Sequence, residues 1–322
     1  MTFETLSEVE RAGRLAGPGV PLVCGPLLMR LGTSLPELVE PVSRLYGDFT
    51  LGPENEIPDF TARVDPVPRL RALYRSQAAT IVDGRRVFDP FPRRQALPML
   101  EWVLNWCLFT RPNQYLLLHS AVVDWGGQGL LLSGQPGAGK STLTAGLLMH
   151  GWRLLSDELA VIDPATRRLQ ALPRPIGLKE ASIAIVRNLW PEAAIGPETT
   201  DTRKGTVAHL RPPRESVRRS EETSVARWVV FPRFVANAQI GLQRVSRADA
   251  LLRLAQEAFN YSMLGEEAFH TLAAMLDSCE CIELEFGQLT EAIDALAEFT
   301  RQGTDNPDGA DRSPIALVGD QR

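Results

Sequence analysis

Apolar and polar positions fall into blocks along the second half of the chain. Residues 116–124 form an apolar run of strand length, and residues 130–132 form a second. Gly126, Gly127, Gln128 and Gly129 between them predict a tight turn, which makes the two strands antiparallel neighbours. Residues 142–149 predict a helix and 152–156 a strand. Residues 160–162 and 169–172 flank Asp163, Pro164, Ala165 and Thr166 as another hairpin. Further on, residues 227–231 predict a strand, 246–263 a helix, 281–286 a strand and 289–299 a closing helix. The sheet expected from this order is mixed and substantially antiparallel.

The first 112 residues are mixed in character and punctuated by proline. Residues 34–40 open with Ser34 and Pro36, a usual helix start. Asp83 and Gly84 inside residues 80–88 signal a hairpin. Residues 98–109 predict an apolar helix, with Trp102 and Trp106 spaced i, i+4 as core positions. No chemistry-bearing constellation occurs there, so a substrate-docking or oligomerisation region is expected by elimination. Residues 195–226 are polar and basic without apolar period and predict a long mobile loop. Residues 301–322 predict a disordered tail. The expected organisation is a smaller N-terminal α+β region over 1–112, one α/β domain leaning to α+β over 113–300, and the tail.

At 322 residues the chain holds one large domain or two smaller ones. Apolar residues at 44 % are enough for a buried core. The net charge of −5 argues against nonspecific nucleic-acid binding as the main task. Arginine pairs such as Arg85–Arg86, Arg93–Arg94 and Arg218–Arg219 read as solvated faces. Cys24, Cys107, Cys279 and Cys281 show neither a C-x-x-C nor a metal-ligand pattern with the four histidines. Buried thiols, no disulfides and a reducing, cytoplasmic setting are therefore expected. The N-terminal residues lack the basic and apolar regions of a signal peptide, and no apolar run approaches bilayer length. No membrane partner is expected.

The densest chemistry lies at residues 134–142. Gly134, Gln135, Pro136, Gly137, Ala138, Gly139, Lys140 and Ser141 complete a G-x-x-x-x-G-K-[ST] phosphate-binding loop, and Thr142 follows in the helix. The glycines let successive backbone N–H groups converge on phosphate oxygens. Lys140 reaches the β- and γ-phosphates, and the Ser141 hydroxyl suits a Mg2+ ligand position. The expected cofactors are thus ATP and Mg2+. The chain has only three lysines against thirty-one arginines, and all three (Lys140, Lys179, Lys204) lie between residues 140 and 204. Lysine is a compact point charge that arginine's planar fork does not always replace at a phosphate. Lys179 and Lys204 are therefore nucleotide-site candidates, and Arg174, Arg203 and His209 are neighbouring sources of positive charge.

Phosphoryl transfer needs an electrophilic clamp, a metal and a group that takes the acceptor's proton. Asp157 and Glu158, at the end of the strand after the loop helix, are the acidic partners. One can hold Mg2+ while the other acts as general base. His119 stands on the strand expected to pair with the one entering the loop, so that pairing can bring it near the phosphates.

Residues 119–163 resemble the catalytic domain of HPr kinase/phosphorylase, and more closely the HPr-kinase-related branch that includes lasso-peptide kinases. The shared pattern is a His before a hairpin, Gly127-Gln128-Gly129 at the turn, the Gly139-Lys140-Ser141 loop end, then helix, strand and acidic pair. Residues 172–179 and 204–210 look like the subgroup called HPr-kinase-related kinase A. The resemblance implies a fold related to phosphoenolpyruvate carboxykinase, Asp157 as general base, His119 beside the transferring phosphate, and a homo-oligomer. Two departures stand out. Glu158 occupies the place of the family's second aspartate, and the downstream signature of the bifunctional enzymes is unrecognisable here.

The expected activity is an ATP- and Mg2+-dependent kinase acting on a hydroxyl, foremost a Ser or Thr of a protein or peptide. A small-molecule kinase and a non-catalytic nucleotide-binding module are the rival readings. A transporter-type ATPase is disfavoured, because no Leu-Ser-Gly-Gly-Gln signature follows the loop.

Overall fold

The computed structural model describes residues 1–67 and 76–304. It is a mixed α/β structure in which the described strands form sheets of six, three and nine members, largely antiparallel. The chain divides into two compact units. Met1–Asn113 joins Gln170–Glu222 in the first, and Gln114–Leu169 joins Thr223 onward in the second. The first boundary falls where composition changes near residue 113. Residues 170–222, which sequence groups with the phosphate loop, make their contacts with the N-terminal residues instead.

In the first unit a sheet runs in the order Val20–Cys24, Leu27–Thr33, Phe60–Pro66, Gln77–Val82 and Arg85–Arg86. The expected hairpin at Asp83 and Gly84 forms, with Val82 opposite Arg85. Helix Ala96–Thr110 packs on this sheet and buries Leu97, Leu100, Val103, Leu104 and Cys107. Trp102 is not core: it is 41 % exposed, and both it and Trp106 lie against Phe88.

The long mobile loop expected over 195–226 is absent. Strands Thr199–Thr202 and Gly205–Leu210 form a hairpin, Ile176–Lys179 pairs with the second, and helix Arg214–Arg218 follows. Residues 207–210 are all buried, but four positions are too few for a periodic signal among so many arginines.

The second unit is built on the nine-stranded sheet. Ser120–Trp125 pairs antiparallel with Gln128–Ser133 as the turn residues predict. The other side of Gln128–Ser133 pairs in parallel with Ser224–Phe234, which pairs in parallel with Glu280–Phe286. Helix Lys140–Met149 buries Leu143 to Leu148 and packs against helix Leu289–Thr304. That closing helix runs past residue 299. Of the tail expected over 301–322, residues 305–322 lie outside the described residues.

Two further expectations change here. His119 is not within a strand but in a break between Leu116–Leu118 and Ser120–Trp125, its N–H donating to the Glu257 carbonyl at 2.8 Å. The single helix expected over 246–263 is two, Arg247–Gln256 and Tyr261–Leu264, with Glu266–Leu276 beyond them. Between the two, residues 257–260 turn their polar groups onto Leu116–Leu118. Phe259 N–H donates to Leu117 O at 2.9 Å, and Leu117 N–H donates to Asn260 Oδ1 at 3.0 Å. Backbone groups bonded to a strand cannot also continue an i→i−4 ladder, so the helix ends.

Candidate functional site

The phosphate loop lies between strand Gln128–Ser133 and helix Lys140–Met149, with Gly139 as the helix N-cap. Helix N-termini carry unpaired N–H groups and the positive end of the dipole, which makes this a ready anion site. Gly137 and Gly139 have φ of +92° and +94°. Nothing lies within 4 Å of a Cβ built on Gly137, whereas one on Gly139 would come 2.9 Å from Phe286 Cζ. A side chain at Gly137 would have room but the wrong φ, and one at Gly139 would also collide with Phe286. Lys140 Nζ donates to the Gly134 carbonyl, folding the ammonium back over the loop. Gln135, Pro136 and Gly137 are exposed, and Ala138 and Thr142 are half-buried beside them.

Ser141 Oγ donates to Asp157 Oδ2 at 3.2 Å. Asp157 is buried, 6 % exposed, in the connection between strands Arg153–Ser156 and Ala160–Ile162, and Glu158 beside it is half-buried. The strand leading to this pair is locked by a buried network. Arg153 Nε donates to Asp124 Oδ1 at 3.1 Å, Arg153 Nη2 to Ser224 Oγ at 2.9 Å, and Ser224 Oγ to Asp124 Oδ2 at 2.6 Å. Such a closed set of charge-assisted bonds fixes Arg153, the first residue of that strand.

Ser120 pairs opposite Ser133, so His119 sits beside the start of the loop. Its Nδ1 lies 3.1 Å from Glu257 Oε2, and Gln135 Nε2 donates to Glu257 Oε1 at 3.2 Å. A carboxylate only accepts, so Nδ1 carries the proton and Nε2 of the neutral ring is left as the acceptor. Glu257 thus ties His119 to the loop with both carboxylate oxygens. Sequence offered no signal for Glu257: it is 138 residues from His119 and sits within what reads as helix.

Lys140, Ser141, Asp157, Glu158 and His119 all belong to the second unit, whereas Lys179, Lys204, Arg174 and His209 belong to the first. Among the described residues no group of three or more His, Cys, Asp or Glu side chains converges as a metal cage. Ser141, Asp157 and the adjacent Glu158 supply oxygen atoms of the kind Mg2+ takes, and phosphates complete such sites. All four cysteines are free and buried. Burial pushes the Cys24 and Cys107 thiols up to about 12 and that of Cys281 to about 11. No described helix is long and apolar enough to cross a membrane. No protein-family model matches the chain, and no curated protein matches its sequence.

Proposed function

We propose that the chain is an ATP- and Mg2+-dependent kinase that transfers the γ-phosphate to an alcohol hydroxyl, that of a Ser or Thr in a protein or peptide. The observation that carries this reading is the 3.2 Å contact between Ser141 Oγ of the phosphate loop and the buried Asp157 carboxylate. A nucleotide sensor needs the loop but no proton acceptor beside it. The same reading assigns the second unit to phosphate-loop kinases of the HPr kinase and phosphoenolpyruvate carboxykinase type. Supporting that assignment, the strand entering the loop has one antiparallel and one parallel neighbour.

In this reading the loop N–H groups and Lys140 hold the β- and γ-phosphates at the helix N-terminus. Ser141 and Glu158 would hold Mg2+, which when bound offsets charge on the phosphate oxygens. Asp157 takes the acceptor's hydroxyl proton as the new O–P bond forms and the bond from the γ-phosphorus to the β–γ bridging oxygen breaks, releasing ADP. His119 Nε2, oriented by Glu257, is set beside the transferring group.

Paired substitutions test the assignment. Lys140→Ala should abolish measurable ATP binding by calorimetry. Asp157→Asn should keep ATP affinity within a few-fold while phosphotransfer falls by about 10²–10⁴. Normal turnover by Asp157→Asn, or intact ATP affinity in Lys140→Ala, refutes it.

A further inference from the structure

The three-stranded sheet of the first unit has two unlike faces. Ile176 and Leu178 stand opposite Leu210 and Ala208, and all four are at most 1 % exposed, so this face belongs to the core. On the other face Gly177 stands opposite His209 and Lys179 opposite Val207. Side chains alternate along a strand, so Lys179 and His209 share that face, and the residue facing His209 has no side chain. Lys204 lies in the turn leading into strand Gly205–Leu210.

His209 is 8 % exposed, and its Nδ1 is buried with no hydrogen-bond partner. Burial first, then Arg174, Lys179 and Lys204, push its pKa down to about 4, so a neutral ring sits among positive charges. Neither lysine ammonium makes an ion pair among the described residues. The carboxylates of the same stretch bond to groups other than the two ammoniums. Glu180 Oε1 accepts the Thr206 N–H at 2.7 Å, Glu198 pairs with Arg187 at 2.8 Å, and Asp201 pairs with Arg94 at 3.2 Å. Native proteins rarely leave a buried ring nitrogen unpaired, and two ammonium groups outside any ion pair favour an anion. In a chain with thirty-one arginines, two of the three lysines stand here, and a compact ammonium suits a phosphate.

We propose that this face is a phosphate-binding site, with Lys179 and Lys204 as the charges and His209 Nδ1–H as the directional donor. The ligand is a phosphate or diphosphate group, carried either by a nucleotide or by a phosphorylated non-nucleotide compound. The proposal does not rest on the kinase reading.

The test uses the full chain with Lys140→Ala, which silences the loop, and follows the four histidine rings by ¹H–¹⁵N NMR during titration with inorganic pyrophosphate and, separately, ATP. A saturable shift at His209, with His150 and His270 unmoved, is expected. It should weaken at least tenfold, in the same background, with Lys179→Gln and Lys204→Gln, both at exposed positions. ATP binding as well as pyrophosphate identifies a nucleotide ligand; pyrophosphate alone identifies a non-nucleotide one. No saturable shift at His209, or a shift indifferent to the two lysine substitutions, overturns the site.

Discussion

Two side chains carry predictions of their own. Glu257 bonds His119 and Gln135 at once, which in the proposed kinase makes it a positioning residue. Glu257→Ala should lower kcat on the order of 10²-fold with KM for ATP nearly unchanged. Glu257→Gln, which keeps one acceptor oxygen, should fall between. Equal loss of kcat and ATP affinity in a stopped assay would contradict a positioning role. His209 makes stability depend on pH. Its pKa is about 4 folded against 6.5 ordinarily, so between those values the unfolded chain binds more protons. Stability is then complete above pH ~6.5 and declines as pH falls towards 4, by on the order of 2–3 kcal/mol. Urea unfolding at stepped pH should show that decline, and His209→Gln should flatten it; an unchanged slope in the variant contradicts the assignment. At this scale much of the site was legible. The loop, Ser141 and Asp157 announce themselves through spacing over a short stretch. Glu257 did not, because nothing local marks a carboxylate whose partners lie more than a hundred residues away.

Among the elements, the loop and its helix depend on one backbone conformation. Gly139 combines φ of +94° with a Cβ position 2.9 Å from Phe286 Cζ. Gly139→Ala should cost about 1–3 kcal/mol in urea unfolding and weaken ATP binding at least tenfold. Unchanged stability and affinity together would mean the loop is not built as described. Elements with strong turn chemistry, the hairpins at Asp83–Gly84 and Gly126–Gly127, could be read from sequence because their turn residues are local causes. The break at His119 and the helix end at Glu257 could not. They form because the Phe259 N–H and the Asn260 side chain bond to Leu117 and the Glu257 carbonyl takes the His119 N–H, non-local choices that override periodicity. The sheet at 199–210 escaped for a related reason. Its pairing partner, Ile176–Lys179, supplies the ladder that its own composition does not advertise.

At the scale of the whole molecule, the chain passes between its two units at residues 113–114, 169–170 and 222–223. Only the first crossing coincides with a change in composition; the others lie in or next to strands, where no Pro- or Gly-rich linker marks a boundary. The phosphate loop, its carboxylate and His119 occupy the second unit, and the lysine–histidine face occupies the first. The proposed kinase activity resides in the second unit. Incubation with Mg2+, γ-labelled ATP and a soluble extract, followed by identification of every labelled species, tests it most directly. Label is expected on a Ser or Thr of a protein or peptide, reduced about 10²-fold or more with Asp157→Asn. Label that stays in ATP, or emerges only as free phosphate, contradicts it.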